Sequence, residues 1–203
     1  MRTNTETDDE RGQAYTLEGF IGAMIVLMAL LFALQSVVIT PTTGGLADRT
    51  VQEQIQQEVQ DALVVSTQDG DLSATIRDWD EEGGFVGANG PSAPGEDHDT
   101  YTVAEFNESV LGGVLEERFA DRGWSYNVEL HTADGENRTL VYQGSPPSDA
   151  VTASYTVSLY DNQEITSGSN EELQNIDSDD RTIPRENEDE QLYAVVEVRV
   201  ILW

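Results

Sequence analysis

The chain has 203 residues, a length that suits one ordinary domain with an anchor or at most two small domains. It carries 39 acidic residues against 10 basic ones, a formal net charge of -29, so it lacks the basic patches that nucleic-acid binding requires. The absence of cysteine excludes disulfides, thiolate metal sites and a cysteine nucleophile.

The acidity predicts a chain adapted to high salt. All ten basic residues are arginine, and there is no lysine. Self-repulsion of this size opposes compaction in dilute buffer, whereas salt at about 1 M shortens the Debye length to about 3 Å and screens it. A high net charge is also typical of disordered chains, but the periodic apolar segments below favour a folded, halophilic protein.

The first predicted element is an apolar helix over residues 17–40, in which Glu18 is the only charged residue. A helix of this length covers about 35 Å, enough to cross a hydrocarbon core of about 30 Å. A secretory signal peptide has a shorter apolar core of about 7–15 residues. We therefore predict a transmembrane helix between a cytoplasmic leader, residues 1–16, and an acidic extracellular domain, residues 41–203.

Arginines set the predicted orientation. Arg2 and Arg11 precede the apolar run, and the next arginine after it is Arg49. Because basic residues are retained on the cytoplasmic side of a membrane, we predict a single-pass cell-membrane protein with a cytoplasmic N-terminus and an extracellular C-terminal domain.

The residues around the start of the apolar run form a distinctive pattern. Arg11 and Gly12 end a short polar leader, Gln13 follows, and a small cluster with Glu18 leads into about twenty apolar residues. This pattern resembles the N-terminus of type IV pilins and pseudopilins. In that family a prepilin peptidase cuts on the cytoplasmic side after a small residue, usually Gly, and archaeal members often carry Gln beside the cut.

The resemblance implies prepilin processing at Gly12 or Gln13 and an assembly role for Glu18. A cut after Gly12 makes Glu18 the sixth mature residue, and a cut after Gln13 makes it the fifth. In pilins the Glu at the fifth position pairs with the N-terminal amine of a neighbouring subunit, and the apolar helix forms the filament core. The segments RGQAYTLEGF and LYAVVEVRVILW are also similar to pilin-like membrane proteins of halophilic archaea, a group without an assigned activity.

Amphipathic helices are predicted after the apolar run. Thr102 and Glu105 form a capping-box pattern at the start of a helix that continues to about residue 122. The pair Gly112-Gly113 inside that helix lowers its stability by about 1 kcal/mol per glycine, which close packing against another element would explain. Two earlier helices have apolar residues at helical spacing: Val51, Ile55, Val59 and Leu63 in the first, and Leu72, Ile76 and Trp79 in the second.

From residue 124 the apolar period changes to two, which predicts strands. Asp134-Gly135 is typical of a hairpin turn between the first two strands. The fourth strand is the most apolar and is predicted to be central. The strands cover residues 124–131, 138–144, 151–159 and 191–203, and a polar acidic loop covers 163–190. Helices followed by strands predict an α+β, pilin-like fold with an antiparallel sheet of about four strands.

The sequence contains no recognisable catalytic pattern. Neither His98 nor His131 has a partner at metal-ligand spacing, and surface histidines are the simpler interpretation. No nucleophile elbow, phosphate loop or dinucleotide fingerprint occurs. We predict no catalytic, cofactor or metal site and no enzymatic activity. The sequons at Asn107 and Asn137 are candidates for N-glycosylation, with Asn137 in the predicted turn as the better acceptor.

We therefore expect a structural protein: a pilin-like, membrane-anchored subunit or assembly factor of a type IV pilus-like filament on the cell surface. The alternative is a membrane-anchored extracellular binding or sensor module that does not polymerise. The expected partners are membrane lipid, other pilin-like subunits and a prepilin peptidase, and nucleic acid is not among them.

Overall fold

The computed structural model describes the chain in segments, namely residues 6–35, 43–79, 84–167, 171–178, 180–186 and 190–203. The contacts divide the chain into two compact units, residues 1–48 and residues 49–203. The first unit contains the helix α1, Glu6–Gln35. Every side chain described in α1, from residue 16 to residue 31, is exposed.

The structure corrects the prediction of a transmembrane helix over residues 17–40. Among the helices described, none has both the length and the hydropathy that crossing a membrane requires. The prediction is wrong for the part of the chain that the structure describes, and its remaining residues 36–40 lie outside that part.

Four more helices follow in the chain, and they are α2 (Thr43–Ser66), α3 (Asp71–Ile76), α4 (Val103–Phe106) and α5 (Val110–Arg118). The predicted apolar stripe of α2 is confirmed in its second half, where Val59 and Leu63 are fully buried, whereas Val51 is exposed. The short predicted helix is also confirmed as α3, and Trp79 beyond its end is buried.

The predicted helix from residue 102 to about 122 is interrupted. Thr102 and Glu105 form the predicted capping box at the start of α4. The helix then ends at Phe106, because Ser109 adopts an extended backbone and caps α5 by accepting a hydrogen bond from the N–H of Gly112. Serine favours such N-cap positions over helix interiors, so the apolar periodicity hid a break.

The sheet has four antiparallel strands, which are β1 (Tyr126–Thr132), β2 (Asn137–Val141), β3 (Val151–Tyr160) and β4 (Leu192–Leu202). Their order is β2-β1-β4-β3. The predicted α+β class with four antiparallel strands is confirmed, and so is the central position of the fourth strand. Gly135 has a φ of 91° in the turn before β2, a conformation that glycine adopts without strain.

One face of the sheet holds the hydrophobic core. On β4, Val196, Val198 and Val200 are fully buried, while Glu197 and Arg199 point to the opposite, partly exposed face. Residues of α2, α3, α4 and α5 belong to the same buried cluster as the strands, so these helices cover the core face. The second unit therefore has a continuous core of its own.

The apolar residues described in the predicted loop 163–190 pack on the core. Leu173, Ile176 and Ile183 are buried, and the hydroxyl of Tyr193 donates a hydrogen bond of 2.9 Å to the carbonyl of Ile183. The ring of Tyr193 in turn lies 6.0 Å from the ring of Trp79. Scattered apolar residues anchor a segment whose composition is mostly polar.

Candidate functional site

The first candidate site is the apolar part of α1, residues 17–31, here called the apolar helix surface. Its large hydrophobic side chains are between 48% and 66% exposed, with Phe20 at 66% and Met24 at 48%. They occur on all sides of the helix, a pattern found in helices that are buried in a larger assembly or in lipid. An exposed apolar area of this kind marks a surface that another apolar body covers.

Glu18 lies at the start of the apolar helix surface. Its side chain is exposed, and among the described residues it has no ion pair or hydrogen bond. The predicted processing residues Gly12 and Gln13 lie upstream within α1. The apolar helix surface thus contains a single carboxylate, and no described residue pairs with it.

The second candidate site is a cleft of about 520 Å³ in the second unit. Its walls come from the segment 84–99 and from the start of β2, where Asn137 and Arg138 lie. The other lining residues with ionisable side chains are Glu96, Asp97, His98 and Asp99. The cleft is therefore mostly polar and mostly acidic.

Glu96, on one wall of this cleft, is hydrogen-bonded to β2. Its two carboxylate oxygens accept hydrogen bonds from the backbone N–H of Thr139, at 2.8 Å, and from the hydroxyl of Thr139, at 2.6 Å. Nε2 of His98 lies 2.9 Å from Oε2 of Glu96, close enough for attraction although the approach is out of line for a regular hydrogen bond. Burial raises the pKa of Glu96, but these contacts outweigh burial and hold the pKa below its ordinary value.

The surroundings of His98 correct the interpretation of a surface histidine. Its side chain is only 13% exposed, and its ring meets the ring of Phe85 edge to face at a centroid distance of 5.9 Å. His131 is more open, with 27% exposure, and lies 2.8 Å from Glu129 on the outer face of the sheet. Each histidine therefore lies next to one glutamate two residues away.

Glu96 leads to a pH-dependent prediction. The Glu96→Gln variant should lose about 1–3 kcal/mol of unfolding free energy at pH 7, because two charge-assisted bonds are weakened. A carboxyl whose folded pKa is depressed stabilises the fold fully above its unfolded pKa and loses that contribution as pH falls through the folded pKa. The difference in unfolding free energy between wild type and variant should therefore shrink only below pH 4.5, the ordinary pKa of a glutamate carboxyl.

Denaturant unfolding, followed by tryptophan fluorescence between pH 3 and 7, measures this difference in unfolding free energy with an uncertainty of about 0.5 kcal/mol. Glu117→Gln, at an exposed position on α5, makes the same charge change and should differ little from wild type at any pH. If the difference in unfolding free energy between wild type and Glu96→Gln stayed constant from pH 7 to pH 3, the ionised carboxylate of Glu96 would not be what stabilises the fold.

The two sequons lie at exposed asparagines whose hydroxyl partners are engaged in the fold. Asn107 is the C-cap of α4 rather than an interior helix residue, and Ser109 caps α5. Asn137 is the first residue of β2 rather than part of the turn, and Thr139 is 4% exposed and bonded to Glu96. N-glycosylation at either asparagine stays a prediction.

The polar side chains of the acidic cleft determine which ligands it suits. Within the described ranges, no three His, Asp or Glu side chains converge in the way that a metal ion requires. The cleft offers carboxylates, one imidazole and one guanidinium, and Glu96, His98, Asp99 and Arg138 contact neighbouring protein groups. Hydrogen-bonding ligands suit such a cleft better than apolar ones.

Comparison with known proteins assigns the chain to a family. Residues 11–202 match the sequence model of DUF7288, a family of unknown function. The chain belongs to the DUF7288 family. No curated protein matches this sequence significantly. No solved structure does so either.

Sequence reasoning missed the cleft of this DUF7288 protein. Glu96 and Thr139 are 43 residues apart in the chain, so no local spacing joins them. The one available signal is the acidic, glycine-rich composition of residues 83–99. The candidates Gly12, Gln13 and Glu18 lie together on α1 because they are close in sequence.

Proposed function

We propose that this DUF7288 protein is a pilin-like structural subunit that assembles through α1 with the same helix of neighbouring subunits, in a filament at the cell surface. The observation that carries the proposal is the apolar helix surface, where every side chain described from residue 16 to residue 31 is exposed. The resemblance of residues 11–18 to the pilin N-terminus supports the same role.

The apolar helix surface is large enough to drive association. Full burial of one Val, Leu, Ile, Phe or Met side chain contributes about 1.5–3 kcal/mol. Association of two molecules costs about 4–15 kcal/mol in lost freedom and ordering. A neighbour that covers several of these side chains offsets that cost, and a helix surrounded by neighbours gains more.

Glu18 gives the proposed assembly its specificity. A carboxylate at an apolar contact between helices must be paired, since an unpaired buried charge is strongly unfavourable. Among the described residues none supplies a partner, and in the proposed assembly the partner belongs to a neighbouring subunit. By the resemblance to pilins, it is the N-terminal amine of a neighbouring subunit after processing at Gly12 or Gln13.

The Glu18→Gln variant should therefore associate at least about tenfold less than wild type, since breaking a buried pair costs several kcal/mol and each 1.4 kcal/mol is tenfold in affinity. Tagged full-length chains are expressed in their source cells, and the fraction that co-sediments with filaments or with other copies is measured. The N-terminal mass of the recovered chain tests the cut at Gly12 or Gln13.

Two further variants serve as a control and as an independent test of the apolar helix surface. Glu53→Gln changes the same charge at an exposed position of α2 and should associate like wild type. Leu27→Glu places a second charge on the apolar helix surface and should abolish association even if Glu18 has no role. Unchanged association in both the Glu18 and Leu27 variants would rule out assembly through α1 and favour a non-polymerising binding module with the acidic cleft as its site.

A further inference from the structure

β3 is an edge strand of the sheet, and it contains no charged residue. Its ten residues read VTASYTVSLY, in a chain where 24% of residues are charged. Edge strands expose unpaired backbone groups, and proteins usually protect them with charges or proline. β3 has neither, which makes its free edge a candidate for pairing with another strand.

The hydrogen-bond alternation identifies which backbone groups face that edge. Ser125 and Trp203 exchange both backbone hydrogen bonds, each of 2.9 Å, so the odd-numbered residues of β4 point their N–H and C=O groups toward β1. The even-numbered residues of β4 consequently point toward β3, where Val196 faces Val157. The even-numbered residues of β3 are thus left with their backbone groups directed outward.

Both ends of this edge are occupied. The side-chain amide of Gln56 donates a hydrogen bond of 3.0 Å to the carbonyl of Thr152. At the other end, the N–H of Tyr160 donates one of 2.9 Å to Oε1 of Gln163. Residues 154–158 lie between these two ends and are here called the open edge segment. Its outward backbone groups have no hydrogen-bond partner among the described residues, and they belong to Ser154, Thr156 and Ser158.

We propose that the open edge segment pairs antiparallel with the same segment of a second copy of this chain, with Thr156 on the two-fold axis. The three outward-facing residues are symmetric about Thr156, so the segment is its own complement. Thr156 faces the same residue of the second copy, and Ser154 faces the partner's Ser158. This register forms about six backbone hydrogen bonds and joins the two sheets into one.

The charges around the open edge segment allow this pairing. The facing side chains are Ser and Thr on one face of the sheet and Tyr155 and Val157 on the other, so no like charges stand directly opposite. The acidic residue that faces Thr156 on β4 is Glu197. In the joined sheet the two copies of Glu197 are about 14 Å apart, well beyond a Debye length of about 3 Å in molar salt.

Single-cysteine variants test the register, because the natural chain has no cysteine. With Thr156→Cys, the two Cα atoms at position 156 lie about 5.5 Å apart, inside the range of about 4.4–6.8 Å that a disulfide requires. With Thr152→Cys, the two thiols lie about 27 Å apart in the proposed dimer. Both positions are exposed on β3, so neither change disturbs the core.

Mild oxidation of each full-length variant in molar salt, followed by denaturing electrophoresis without reductant, measures the disulfide-linked dimer. The Thr156→Cys chain should cross-link at least about tenfold more than the Thr152→Cys chain, and a mixture of Ser154→Cys and Ser158→Cys chains should cross-link more than either alone. Because association through α1 affects all these variants equally, their ratios report on β3 alone. Equal yields at positions 152 and 156, or no cross-link in the 154 and 158 mixture, would overturn the proposal.

Discussion

Replacing Gly112 with alanine is expected to lower the free energy of unfolding of the second unit by about 3 kcal/mol or more, the upper range for overpacked sites. A Cβ at this position would lie 1.8 Å from the carbonyl oxygen of Phe106. That oxygen belongs to the corner where α4 ends, and it also accepts a hydrogen bond of 2.7 Å from the hydroxyl of Ser109. The backbone of the corner must therefore move before a side chain fits.

Gly113→Ala is the matched control for this prediction. The nearest atom to a Cβ at Gly113 is the side-chain oxygen of Asn107 at 3.3 Å, the end of a flexible and exposed side chain. Alanine in a helix gains about 1 kcal/mol over glycine, so this variant should equal or exceed the stability of wild type. Two identical substitutions at adjacent positions are thus expected to have opposite signs.

Thermal unfolding in molar salt measures both variants. The fluorescence of Trp79 reports on the core, since its side chain is 1% exposed. A loss of 3 kcal/mol in a chain of this size lowers Tm by about 6–12 °C. A Gly112→Ala protein with the Tm of wild type would show that the corner relaxes without cost, and the explanation of the glycine pair by close packing would fail.

Replacing Arg185 with methionine is expected to lower the free energy of unfolding by about 3–5 kcal/mol. The guanidinium lies 2.5 Å from a carboxylate oxygen of Asp161, and the two side chains are only 11% and 12% exposed. Removing the arginine charge leaves the carboxylate of Asp161 buried without a compensating cation, the situation that destabilises most strongly.

The comparison with a second ion pair isolates the role of burial. Arg199 and Glu197 are 3.1 Å apart, but their side chains are 34% and 37% exposed. Arg199→Met should therefore cost no more than about 1 kcal/mol. The double variant Arg185→Met with Asp161→Asn should recover part of the loss, because no charge is left unpaired. Equal losses at Arg185 and Arg199 in denaturant unfolding would contradict this interpretation.

Local patterns in the sequence determined much of the fold. The two-residue period from Trp124 onward placed the strands, because alternate side chains of a half-buried strand face opposite sides of the sheet. The fourth strand was central as its apolar run indicated, since a central strand is covered on more sides. The capping box of Thr102 and Glu105 formed as predicted, because its bonds connect residues only three positions apart.

Two expectations from the sequence differ from the structure. The apolar face from residue 102 to about 122 concealed the corner at Ser109, where a side-chain cap competes with continuing the helix. The predicted transmembrane helix was the larger error. Its apolar run was counted over residues 17–40, whereas no described helix meets the length and hydropathy of a span.

Only the tertiary structure decided which distant groups meet. Glu96 contacts Thr139, 43 residues away in the chain. Arg185 contacts Asp161, 24 residues away, although the sequence contains many other acidic residues with which an arginine could pair. Composition alone showed that β3 is free of charge, but the strand order made it an edge, and Gln56 and Gln163 closed its ends. Contacts of this kind depend on how elements pack together, and short-range spacing in the sequence contains no record of them.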